Sequence, residues 1–408
     1  MKDSGIQWIG QIPENWRIER FKFTHQNSNV GESIDKNFCS ERDGKLLFYT
    51  AGLEPITTNY SNFPCWKYTK ERDLLLARNG TPYVYLPKEK AVYSDHIIRV
   101  TINDNYSKRF IRYCLQQAIK NEVVDTVSIT TWSVPIWDSQ YLSLPSIEQQ
   151  KRIADFLDQK TTEIQFAIDN TKQTIEEYKK LKQAVITKAV TKGLEPNRKM
   201  KASGIEWIGQ IPEEWEVKRI KTLFDLRSEK NYLPLSEVNL ISLYTDLGVR
   251  QHSDIEATTG NKAMNADGYK KVYKDDIVVN IILCWMGAIG RSDYEGVTSP
   301  AYDVYKPKEN VNSRFYHYYF RTKGFNGDCF KRGKGIMLMR WRTYADYFRD
   351  ISVVAPSETE QEKIVEYLDR KCSQIDTLIS QKEQFITELE KYKQSLIYEY
   401  VTGKRVLN

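Results

Sequence analysis

No stretch of 18 apolar residues occurs in this sequence, so no membrane-spanning helix is predicted. Residues 1–20 lack a continuous apolar core and do not read as a signal peptide. Cysteine is sparse: Cys39, Cys65, Cys114, Cys284, Cys329 and Cys372 are scattered without a Cys-x-x-Cys pair. That argues against a disulfide framework or zinc site and points to a reducing cytoplasm. Histidine is rarer still. His25, His96, His252 and His317 show no metal-ligand spacing, and ordinary structural or surface roles are expected of them. No large excess of one charge exists either, with 60 Lys and Arg against 54 Asp and Glu, a net +6. Any nucleic-acid surface must therefore be a local concentration of basic residues.

Catalytic signatures are missing too. The run 327–335 holds Gly-Lys-Gly at the wrong spacing for a phosphate loop, with no Ser or Thr to ligate magnesium. There is no nucleophile elbow. Ser299-Pro300-Ala301-Tyr302 lacks the second proline of the loop with which amino-methyltransferases hold a flipped adenine, and no Gly-rich methyl-donor loop accompanies it; a strand turn is expected. Acidic-x-Lys triplets such as Asp158-Gln159-Lys160 fall inside predicted helices, where solvated charge is expected. The chain reads as non-catalytic.

What is present is a duplication. Residues 4–20, SGIQWIGQIPENWRIER, and 203–219, SGIEWIGQIPEEWEVKR, agree at twelve of seventeen positions. A second pair begins at Pro145 and Pro356 and aligns without a gap. Past its opening proline, neither copy contains Gly or Pro until Gly193 and Gly403. Ile153, Ile164, Ile175 and Ile186 recur every eleven residues, as do Ile364, Ile375, Ile386 and Ile397, and most have a second apolar residue four positions on. This spacing predicts two helices of roughly 45 residues and ~65 Å, each with one apolar stripe. A period of ~3.67 residues per turn lets two such helices pack nearly straight, and each helix is the obvious cover for the other.

The expected order is an N-terminal box (1–20), a first module (21–144), a central helix (145–194), a linker with the second box (195–219), a second module (220–355) and a C-terminal helix (356–408). Matched stripes pack most simply antiparallel about a pseudo-twofold axis, with parallel packing as the alternative. Antiparallel packing places the modules at opposite ends of a rod and brings Leu407 near Ser4. Trp8, Trp16, Trp207 and Trp215 of the boxes are expected to strap the helices or meet partner subunits.

The modules are unlike in sequence. Both show short β-rich runs broken by turn residues: Leu46–Tyr49, Asp73–Ala77, Tyr83–Leu86 and His96–Thr101 in the first, Leu240–Leu243, Asp276–Leu283 and Ala301–Tyr305 in the second. One helix is predicted in each, Ser107–Lys120 and Ser313–Gly324, giving α+β modules. Loops combining Gly, basic and aromatic residues are the binding candidates: Arg78, Asn79 and Thr81; Thr131 and Trp132 after Ser128-Ile129-Thr130; Arg291; and the dense basic run Lys331, Arg332, Lys334, Arg340 and Arg342. Arg and Asn can read guanine and adenine edges bidentately, while Lys suits phosphates.

These features together resemble the DNA-specificity subunit of type I restriction-modification systems over nearly the whole chain. The resemblance is carried by the paired SGIxWIGQIPExW boxes, the helix starts with Glu148-Gln149 and Glu360-Gln361, Asp73–Thr81, Asp276–Asn280, Trp285–Gly290 and Ser299–Tyr302. It implies two α/β target-recognition domains separated by a long antiparallel two-helix coiled coil, each reading half of a bipartite double-stranded DNA site. It also implies recruitment of two methyltransferase (modification) subunits and of restriction subunits. Methyl donor, ATP and magnesium would belong to those partners, with no cofactor, metal or catalytic residue here. A protein-only adapter with two binding modules is the alternative, and a fused single-chain enzyme a remote third.

Overall fold

The computed structural model describes the chain except for residues 41–42, 122–130, 253–264, 337–340 and 408. It divides into two units: Met1–Lys172 together with Glu383–Asn408, and Gln173–Lys382.

The first unit opens with a hairpin, Lys2–Asp3 against Gln11–Ile12, followed by strand Arg17–Arg20 paired antiparallel with Tyr141–Leu144. Between those paired strands lies a four-stranded sheet in the order His25–Val30, Ile97–Ile102, Asp73–Ala77, Val84–Tyr85. Asp73–Ala77 is buried throughout because both of its faces are covered. Leu74 and Leu76 point into the same core as Phe110, Ile111 and Leu115 of helix α1 (Lys108–Ala118). Leu75 and Ala77 point the other way, against Phe48 and Tyr93 of a second four-stranded sheet. The two-residue alternation of a strand thus joins two cores. Helix α2 (Val134–Asp138) leads back to the bracketing strand and into α3 (Ile147–Lys192).

The second unit repeats this plan with different residues. Its hairpin is Met200–Ala202 against Gln210–Pro212, and its bracketing pair is Glu216–Arg219 with Ser352–Ala355. Helix α4 (Ile220–Leu223) follows. The sheet order is Phe224–Leu226, Tyr302–Pro307, Ile277–Asn280, Ile289–Arg291. Ile277 and Val279 enter one core and Val278 the other. Helices α5 (Ser313–Phe320), α6 (Lys323–Arg332), α7 (Ala345–Arg349) and α8 (Glu358–Val401) complete it.

Two predicted boundaries are corrected. The single helix expected over 313–324 is two helices, because Thr322 accepts from the Phe325 N–H (3.3 Å) and starts a new one. The strand expected over 276–283 stops at Asn280, whose Oδ1 accepts from the N–H groups of Ile282 and Leu283 (3.0 and 3.3 Å) and closes a turn.

The long helices run 46 and 44 residues. In the first unit Phe156 meets Tyr400 (ring centroids 4.7 Å apart) and Gln165 accepts from Lys393 (3.0 Å). Numbers rise along α3 as they fall along α8, so the helices run antiparallel there. In the second unit Lys182 pairs with Asp376 at 2.7 Å, and Ile186 and Val190 share a core with Ile364 and Leu368. Ile153, Ile164, Ile175, Ile364 and Ile375 are buried as expected of the stripe. Ile386 and Ile397 are only half-buried; Leu396 and Tyr400 take the inner face instead.

Trp16 and Trp215 are buried and stand edge-on to Phe110 and Phe315 (6.4 and 6.5 Å). Trp8 and Trp207 are half-buried. The C-terminal end of α8 docks on the first box: Tyr398 OH donates to the Trp8 carbonyl (3.1 Å), and Leu407 joins the same core. A Cβ at Gly403 would lie 2.5 Å from Pro13. The segment after α3 is pinned rather than loose, since Arg198, 13% exposed, pairs with Glu360 at the start of α8.

Polar residues on the long helices explain part of the repeat. Gln361 donates to the Pro356 carbonyl (2.9 Å) and accepts from the Asn312 N–H that begins α5 (2.9 Å). Gln150 does the same with Pro145 (3.0 Å) and the Ser107 N–H (2.9 Å). The counterpart of Glu360-Gln361 is therefore Gln149-Gln150, one residue on from the pairing read in the sequence. Asp158, expected to be a solvated charge, binds Arg109 (2.8 Å) and Tyr113 (2.7 Å). Asp369 binds Arg314 (2.9 Å) and Tyr318 (2.6 Å) in the same way.

Candidate nucleic-acid interface

In each module one corner gathers most of the candidate residues: the end of the buried central strand together with the segment entering the short helix before the last strand. In the first, Ala77 runs into Arg78-Asn79-Gly80-Thr81. Trp132 N–H donates to the Arg78 carbonyl (2.6 Å), and Asn79 bridges to Thr131. In the second, Asn280 runs into Ile281, whose carbonyl accepts from the Thr343 N–H (2.8 Å). The backbone joint is the same although the side chains differ.

Arg78, Thr81 and Thr131 are exposed and Asn79 half-buried, so these four form one polar surface. Trp132 is not part of it: only 4% exposed, its indole donates to the Gly80 carbonyl (2.8 Å) and holds the loop from beneath. His96 does belong there and was not expected. Asn79 Nδ2 lies 2.7 Å from His96 Nδ1, and the Arg78 N–H donates to the His96 carbonyl (2.8 Å). Strand pairing is the signal that could have found it, because Ile97 faces Ala77 across the sheet and the residues just beyond each must meet. Ser128-Ile129-Thr130 lie outside the described residues.

In the second module the surface is aromatic and basic. Phe330 stacks on Trp341 (5.0 Å, 22°) and meets Trp285 edge-on (5.5 Å). Gly333 allows the close approach, since a Cβ there would lie 2.1 Å from the Trp341 ring. Lys334 and Arg342 are joined by paired backbone hydrogen bonds (2.9 and 3.0 Å), and the Lys334 ammonium lies over the Tyr347 ring at 4.2 Å. Arg332 is exposed. Lys331 is committed to Glu206 (2.5 Å), a contact that raises its pKa. Arg340 lies outside the described residues.

Arg291 is elsewhere. It faces Ile277, at the opposite end of the central strand from the loop, and is 12% exposed between Asp275 (2.6 Å) and Asp293. The Gly-rich run Trp285–Gly290 begins in a short helical turn (Cys284–Met286) and passes into the returning strand. The turn expected at Ser299–Ala301 is present, closed by Tyr302 N–H to the Ser299 carbonyl (3.0 Å), and register sets Tyr302 opposite Asn280. Among the described residues no group of three His, Cys, Asp or Glu could hold a metal ion, and no helix is long and apolar enough to cross a membrane.

A family model for the type I restriction modification DNA specificity domain matches residues 26–177 and 212–390. The chain belongs to that family of specificity subunits. It is 28% identical over 172 residues to the type I restriction enzyme MjaVIII specificity subunit of Methanocaldococcus jannaschii, a match covering 41% of this chain and 38% of that relative. It is 22% identical to the putative MjaX specificity subunit of the same organism over 97% of this chain and 95% of the relative. A chain from a structure titled for complex assembly and conformational transition of the type I R-M system matches with TM-score 0.70 at 12% identity, covering 97% of this chain and all of that one. The HsdS subunit from Thermoanaerobacter tengcongensis matches with TM-score 0.54 at 13% identity, covering 99% and 100%.

Proposed function

We propose that the chain is the sequence reader of a type I restriction-modification complex, with each module recognising one half of a bipartite site in double-stranded DNA. One observation carries this reading: two modules whose central sheets run in the same strand order present unlike side chains at the same backbone joint, polar at Arg78–Thr81 and aromatic-basic at Phe330, Lys334, Trp341 and Arg342. A shared frame with different surfaces is what an asymmetric target requires, since base edges are read by side chains and the backbone frame only positions them.

The long helices form an antiparallel two-helix coiled coil about a pseudo-twofold axis, and its length sets the spacer between half-sites. The helices and boxes recruit two modification subunits and, through them, restriction subunits. The chain supplies no catalytic group; methyl donor, ATP and magnesium act in the partners. The complex works in the cytoplasm, where its DNA substrate is.

The test is an exchange of residues 21–144 for the corresponding module of another family member, followed by methylation mapping of genomic DNA. One half-site is expected to change and the other to stay. A change in both halves, or in neither, overturns the reading.

A further inference from the structure

The second unit carries a groove of about 850 Å³ between the C-terminal part of α3, the second box and the start of α6. Its floor is apolar, formed by Trp207, Ile208, Ala184 and Gly324. Its rim is basic: Lys179, Lys180, Lys188, Lys192 and Lys323 stand against a single acid, Glu176. Lys179 is bound to Glu176 (2.8 Å), and Lys192 is spent on the carbonyls of Ile208 and Gln210. Lys180, Lys188 and Lys323 are exposed and make no ion pair within the described residues. The floor is fixed from behind, because the Trp207 indole donates to Asp328 (2.7 Å) and its ring lies on Gly324.

The duplication provides an internal comparison. At the offset that takes Pro145 to Pro356, the positions of Glu176, Lys179, Lys180, Lys188 and Lys192 are taken in the first unit by Thr387, Glu390, Lys391, Glu399 and Gly403. The basic excess is gone. Thr187, on the groove wall, is replaced by Tyr398, whose hydroxyl reaches the Trp8 carbonyl and whose ring is covered by the Lys404 ammonium at 4.2 Å. The two boxes match closely, yet the helix face beside each is chemically different.

We propose that this groove is a docking slot for an acidic segment of a modification subunit, carrying an apolar side chain that seats on Trp207 and carboxylates that meet Lys180, Lys188 and Lys323. The proposal rests on the function proposed above and adds to it that the two partner positions are unequal: one electropositive and open, the other near-neutral and filled by Tyr398. Exposed lysines on a flat face would suit a phosphate backbone equally well. The apolar floor is what favours a protein segment, because a seated side chain removes that floor from water and a phosphate does not.

The experiment titrates the full chain with the modification subunit of its own restriction-modification system, and follows the mass of the complex by analytical ultracentrifugation at 50 and 300 mM salt. Two variants are compared with the wild type: Lys180→Glu with Lys188→Glu, which reverses the rim, and Thr187→Tyr, which fills the groove as Tyr398 does in the other unit. The wild type is expected to take up two modification subunits, one of them salt-sensitive. Each variant is expected to bind one as before and the other at least tenfold more weakly, while the control Lys391→Glu changes uptake less than twofold. Retention of the first subunit shows that the variants fold. Two subunits bound within twofold of wild-type affinity by both variants overturns the groove. So does a tenfold loss of duplex DNA affinity with assembly unchanged, which assigns the face to nucleic acid. A wild-type chain that binds no modification subunit overturns instead the function on which the proposal rests.

Discussion

The ring of Trp207 lies directly on the backbone of Gly324, where a Cβ would sit 2.1 Å from the indole. Three residues along the same helix, Gly327 has nothing within 4 Å of its Cβ position. Gly324→Ala is expected to destabilise the second unit by about 1–3 kcal/mol through overpacking. Gly327→Ala is expected to stabilise it by about 0.5–1 kcal/mol, the helix-propensity difference. Denaturant melts of the two variants check the opposite signs; equal effects would show that the indole moves aside freely.

His317 predicts an acid sensitivity. Burial and the guanidinium groups of Arg321, Arg314, Arg291 and Arg250 hold its pKa down at about 3, and its Nδ1 accepts from the Arg291 N–H (3.2 Å). An unfolded histidine titrates near ~6.5, so below that pH the unfolded chain takes up a proton that the folded one refuses. Its contribution is complete above about pH 6.5 and falls away towards pH 3, at up to about 1.4 kcal/mol per pH unit. Denaturation midpoints measured from pH 7 to pH 5 should fall for the wild type and fall less for His317→Gln, which keeps an acceptor but cannot take a proton.

Gln361 and Gln150 each close two backbone groups at the foot of a long helix. Replacing Gln361 by Leu leaves the Asn312 N–H and the Pro356 carbonyl without that partner and is expected to cost about 2–4 kcal/mol. Gln150→Leu should cost the same amount in the first unit. Hydrogen exchange at Asn312 and Ser107 reports which unit has loosened; a loss below about 0.5 kcal/mol for both would show that water replaces the amide.

Arg78 and Lys334 should fail in different ways. If Arg78 or Asn79 reads a base edge, alanine there costs about 1–3 kcal/mol and relaxes the preference at one base pair of one half-site. Lys334→Ala should weaken binding alike on all sequences and reduce the salt slope by about 1. Fluorescence anisotropy of the assembled complex on matched and mismatched duplexes, at several salt concentrations, separates the two.

How far the sequence carried this reading depends on the element. The long helices were legible because an eleven-residue apolar period over four turns of the repeat has no other physical meaning, and the boxes because they occur twice. The break at Thr322 was not, since Ser313–Phe320 and Lys323–Arg332 are each helical and a capping threonine is one weak signal among many. At the candidate site, the place of Arg78 to Thr81 followed from the strand before them. Trp132 and Arg291 lie off the exposed surfaces for one reason: composition says that a loop is aromatic or basic, while burial beneath Gly80 or pairing with Asp275 depends on contacts from distant segments. His96 was missed for the converse reason, since its neighbours in sequence say nothing of Asn79.

The second unit is one unbroken stretch of chain, Gln173–Lys382, whereas the first needs Glu383–Asn408 to complete its core, with Leu396, Tyr400 and Val401 packed among Ile153, Leu157 and Trp16. During synthesis the residues made first must wait for ones made only after every residue of the second unit has been added. A chain that stops at residue 382 would keep every segment of the second unit and leave the first with an open wall, although the missing residues lie far from it in the message.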